Sequence, residues 1–74
     1  MVMSFEIGKV YVQTFGHGEL TFFKPEAKNK NGSFKGIRMP NYGAGKNKPV
    51  QVNGIENYGN WCEVLSSRIP EALK

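Results

Sequence analysis

Two runs of β-branched and aromatic residues, Val10 to Phe15 and Leu20 to Lys24, flank Gly16-His17-Gly18. Such residues fit a pleated, half-buried surface, and glycine reverses the chain at little steric cost. This commits the first third of the chain to an antiparallel hairpin. Along its first strand Val10, Val12 and Thr14 share one face, while Tyr11, Gln13 and Phe15 share the other. Along its second, Leu20 and Phe22 lie opposite Thr21 and Phe23.

Pro25 cannot donate to a ladder, so it marks a strand end, an edge or a bulge, and residues 26–32 can extend the strand as an arm. Asn31-Gly32 is a strong hairpin signal for a type I′ turn. Ser33 to Met39 then forms a third strand, in which Lys35, Ile37 and Met39 alternate with Phe34, Gly36 and Arg38. If Ile37 and Met39 face the core, Phe34 and Arg38 face solvent together. Pro40 to Lys48 is a flexible loop by composition. Pro49 to Asn53 is a short fourth strand, ended by a turn at Asn53-Gly54. Trp61, Val64, Leu65 and Ile69 fall on one helical stripe. Asn60 is placed as N-cap, Glu63 as its capping-box partner, and Pro70 ends the helix near Arg68. The expected fold is α+β: a four-stranded antiparallel sheet (β-β-β-β-α) with one C-terminal helix packed on its apolar face, residues 1–74 forming a single small domain.

A 74-residue core is marginal without reinforcement. Cys62 is the only cysteine, which excludes an internal disulfide, and one histidine beside it cannot supply the four N/S ligands of a structural zinc site. A homodimer is the most economical source of further buried area. The N-terminus lacks the basic start and apolar run of a signal peptide, and no stretch approaches the length of a membrane span. A soluble, cytoplasmic protein with Cys62 reduced is expected. Asn31-Gly32-Ser33, although it matches a glycosylation triplet, then reads as a turn.

Little in the chain suggests catalysis. Gly43-Ala44-Gly45-Lys46 resembles the end of a phosphate-binding loop, but Pro40 and Asn47 stand where glycine and Ser or Thr are needed. His17 sits alone at a turn tip. Cys62 reads as a half-buried thiol beside the helical stripe, and the six glutamates show no acid–base pairing. The expectation is a non-enzyme without cofactor or metal.

The feature that rises above background is Lys24 to Lys48. It holds seven of the ten basic residues against one acid, Glu26, in a chain of net charge +4. Interleaved rings and cations suit single-stranded nucleic acid, where bases stack on aromatics and phosphates meet lysine and arginine. The residues assigned to phosphate contact are Lys24, Lys28, Lys30, Lys35, Arg38, Lys46 and Lys48. Phe23, Phe34 and Tyr42 are assigned as stacking surfaces.

Several pieces together resemble the single-stranded-DNA-binding domain of the transcriptional positive cofactor four family. They are Phe5-Glu6-Ile7-Gly8-Lys9 opening the first strand, the hairpin at Phe15-Gly16, the basic glycine-containing region between the second and third strands, and Val50 to Val52 leading into a helix with Trp61 and Leu65. The Asn41–Lys48 loop and Pro70 depart from that pattern. The resemblance implies a four-stranded antiparallel sheet followed by a helix, dimerisation through the helices, and binding of single-stranded or melted DNA on the basic sheet face. DNA is accordingly expected over RNA. The competing reading is a small phage- or plasmid-type protein that binds and inhibits a host protein.

Overall fold

A computed structural model of the chain describes residues 4–14, 20–56 and 61–74. It contains one five-stranded antiparallel sheet: β1 (Tyr11–Thr14), β2 (Leu20–Lys28), β3 (Phe34–Pro40), β4 (Val50–Ile55) and β5 (Trp61–Glu63). Their order is β4-β3-β2-β1-β5, so four strands meander and the fifth returns to pair with β1. The turn at Gly16-His17-Gly18 and the Asn60 cap lie outside the described residues.

The expected α+β fold is corrected at the C-terminus, where no α-helix forms among the described residues. Trp61 to Glu63 pair with Gln13 to Tyr11, and the Val64 N–H donates to the Val10 carbonyl at 2.8 Å. Two 3-10 turns follow, at Ser66–Arg68 and Glu71–Leu73. Isolated helices of this length are marginal, whereas β1 offers a row of backbone groups that need partners. The tertiary ladder therefore overrides the helical stripe. Leu65, expected on that stripe, is 68% exposed, and Cys62, expected to be half-buried on the helix, is exposed on β5. No helix among the described residues is long and apolar enough to cross a membrane.

Both faces of the sheet are covered. On one, Phe5, Tyr11, Phe23, Phe34 and Trp61 form an aromatic core, with Val52 and Ile55 packed against it. Phe5 is its centre, lying edge-on to Phe23 and Phe34 at 5.3 Å and to Trp61 at 5.6 Å between ring centroids. The segment carrying Phe5 does not open a strand, as the family resemblance implies. It lies over the sheet, held where the Glu6 N–H donates to the Tyr11 hydroxyl at 2.8 Å and the Gly8 N–H to the Pro25 carbonyl at 3.2 Å. Lys9 Nζ ties this segment down, 2.7 Å from Glu6 Oε2 and 3.4 Å from Glu63 Oε1. On the opposite face Val10, Met39 and Leu73 are buried, with Phe22, Ile37, Val64 and Ile69 around them. The C-terminal turns thus do the covering that a helix was expected to do.

Two turns differ from their sequence readings. The β2–β3 connection is a three-residue loop rather than a two-residue type I′ turn. The Gly32 N–H donates to the Asn29 carbonyl, the Asn29 N–H donates to the Ser33 carbonyl, and Gly32 alone takes positive φ, at 91°. Gly54 does not end β4. Its φ of 84° forms part of an irregularity within the strand, where the β3–β4 register shifts between Phe34 and Gly36. Pro25 lies within β2, immediately before a register shift towards Ala27, and is buried there.

Candidate nucleic-acid interface

The β2–β3 hairpin and the loop after β3 carry all seven assigned cations. Lys28 and Lys35 lie near the hairpin tip and Lys30 on it, all exposed. Lys46 and Lys48 are exposed beyond the other end of β3. Lys24 and Arg38, half-buried, fall between these groups. At roughly 3.3 Å per residue, the seven residues of β3 extend the set over about 20 Å. The described ion pairs fall on Lys9 and Lys74, none on these seven residues. Lys28, Lys30, Lys35, Lys46 and Lys48 are therefore solvated.

Their side chains do not form a single flat patch. Arg38 is the cross-strand neighbour of Phe23 and shares its face, while Lys24 pairs with Ile37 on the other. Lys28 is opposite Phe34, with its Nζ 5.9 Å from the ring centroid. Near the tip, Asn29 Nδ2 donates to Ser33 Oγ at 3.0 Å and to Asn53 Oδ1 at 2.7 Å, pinning the hairpin to β4. The 41–48 loop, expected to be loose, is folded into turns. The Asn47 N–H donates to the Pro40 carbonyl at 2.8 Å, and Gly43–Gly45 forms a 3-10 turn carrying Lys46. No phosphate-cradling glycine loop on a long helix exists there.

The stacking assignments of Phe23 and Phe34 are corrected. Phe34 and Arg38 do share a face, but Phe5 covers it, leaving Phe23 and Phe34 0% and 3% exposed. Alternation separates two faces of a strand without saying which meets water. Neither ring can receive a base in this fold. Tyr42, half-buried at the start of the 3-10 turn, is the one assigned ring outside the two cores.

Arg38 opens instead onto a cleft of about 210 Å³ at the edge of the aromatic core. Gln13, Ile55, Glu56 and Trp61 share this cleft, with Phe23 beneath it. The sequence does not group these residues, because the helical stripe places Trp61 away from the sheet edge and Glu56 shows no acid–base pairing. Gln13 carries a usable signal: a polar side chain on the same strand face as Tyr11. Comparison with protein-family models, curated proteins and solved structures yields no match.

Proposed function

We propose that this protein is a non-enzymatic binder of single-stranded nucleic acid, DNA in preference to RNA, and that phosphate contacts dominate its affinity. The observation that carries the reading is the run of seven cations along the β2–β3 hairpin and its following loop, none in an ion pair among the described residues. With Phe23 and Phe34 buried, stacking is a minor contribution, left to Tyr42. Recognition along the track is therefore electrostatic and tolerant of sequence. The working particle is a homodimer, because a core of this size gains from further burial. Its contact cannot be the helix-to-helix one that the family resemblance implies.

The test is fluorescence anisotropy of a labelled oligo-dT at several salt concentrations. If about four phosphates are engaged, a fourfold rise in salt weakens binding roughly 50-fold. Replacing Lys35 and Lys46 together flattens that slope. Native mass with and without the oligonucleotide reports the stoichiometry. Binding that is absent at low salt, or indifferent to salt, would overturn the proposal and turn attention to a protein partner.

A further inference from the structure

Arg38 and Glu56 line one cleft with opposite charges, yet they form no ion pair with each other. Gln13 adds an amide able to donate and accept, and Ile55 and Trp61 supply apolar wall. The volume of about 210 Å³ is below the usual range for drug-sized ligands and suits one small planar ring system. A bound group that offers acceptors towards Arg38 and donors towards Glu56 would satisfy both charges at once.

We propose that this cleft selects guanine within a bound single strand, an inference that rests on the nucleic-acid reading above. Guanine presents two adjacent acceptors, O6 and N7, which match the fork of an arginine. Its next edge carries the N1–H and N2–H donors, which match a carboxylate. Adenine and cytosine offer Glu56 only an amino group, and thymine a single ring N–H. Guanine thus allows two paired contacts where each other base allows at most one. The guanidinium and carboxylate read the base by its edges, which needs no exposed ring face. Arg38 changes role accordingly, from a phosphate contact to a residue that determines specificity.

The experiment compares a heptamer of thymidines carrying one central guanosine with the same heptamer carrying adenosine. The guanosine strand is expected to bind about tenfold tighter, the size of one good paired contact. Glu56→Gln, which removes the carboxylate pairing but leaves the Arg38 fork, is expected to lower that ratio, and Glu56→Gln combined with Arg38→Gln to bring it near one. The ratio is read within each variant, so the general gain in affinity from losing an acid does not affect it. Because Glu56 is exposed, folding of the variant is checked simply by its urea midpoint. Equal affinities for the two strands, with steep salt dependence retained, overturn the guanine cleft and leave the nucleic-acid reading standing. If neither strand binds at low salt, that reading falls. The cleft is then judged by titrating dGMP and dAMP against the Trp61 indole N–H resonance, where equal or absent shifts overturn it too.

Discussion

Gly36→Ala is expected to be among the most damaging single-methyl additions to this protein. A Cβ at Gly36 would lie 2.1 Å from the Lys24 carbonyl oxygen, 2.9 Å from Pro25 Cα and 3.0 Å from the Glu26 nitrogen. All three are backbone atoms, so no flexible side chain can swing away. Overpacking of this kind costs typically about 1–3 kcal/mol, and a fixed backbone places it at the upper end. Against this, alanine lowers the entropy of the unfolded chain by about 0.4–1 kcal/mol. The net expectation is a loss of roughly 2–3 kcal/mol, a large fraction of the ~4–11 kcal/mol available to a domain of this length. With a urea m-value near 1 kcal/mol/M, the midpoint falls by about 2–3 M. Trp61 is the only tryptophan and is 7% exposed, so its fluorescence reports the transition directly. Gly32→Ala is the control: nothing lies within 4 Å of its added Cβ, and only its φ of 91° opposes the change, at roughly 1–2 kcal/mol. A Gly36→Ala midpoint at or above that of Gly32→Ala would refute the close approach of β3 to β2 and, with it, the packing of the hairpin.

Three further outcomes follow from the same geometry. Phe34→Ala empties a site that is 3% exposed and should cost about 3–5 kcal/mol by urea unfolding, with binding lost only in proportion to unfolding; a stable, well-folded variant with weakened binding would return Phe34 to the interface. The Thr21 hydroxyl is buried without a hydrogen-bond partner among the described residues, so Thr21→Val should stabilise the fold by about 1 kcal/mol, and a lower melting temperature would show that the hydroxyl is satisfied. The Lys9 ammonium is held above its ordinary pKa of 10.5, first by its hydrogen bond to Glu6, then by the charges of Glu6 and Glu63. A raised folded pKa means that its stabilising contribution is fully present below 10.5 and is lost as pH rises through the folded value. The difference in melting temperature between the wild type and Lys9→Met should therefore be constant from pH 6 to 9 and shrink above 10.5; a difference that grows with pH would contradict the sign.

The basic segment was legible as composition but not as a surface. Lys24 to Lys48 stands out by charge alone, and its cations do run along one hairpin and its following loop. Which of its rings meet solvent depended on Phe5, nearly 20 residues before Phe23, folding over the sheet. The cleft at Arg38 was hidden for a similar reason: Gln13, Arg38 and the stretch holding Glu56 and Trp61 are three separate parts of the chain.

Local chemistry by itself located the first four strands, though not the end of β4, which runs through Gly54 to Ile55. Alternating β-branched and aromatic residues, with proline and glycine between them, leave few other conformations for β1 to β4, and Asn31-Gly32 located the central hairpin. Only the tertiary structure decided the rest. The stripe through Trp61, Val64 and Ile69 is compatible with a helix, but unpaired backbone groups along β1 and two apolar faces needing cover drew it into β5 and the 3-10 turns. Periodicity records which side chains are apolar, while burial depends on what arrives from elsewhere in the chain. For this protein those arrivals are Phe5 on one face and Leu73 on the other.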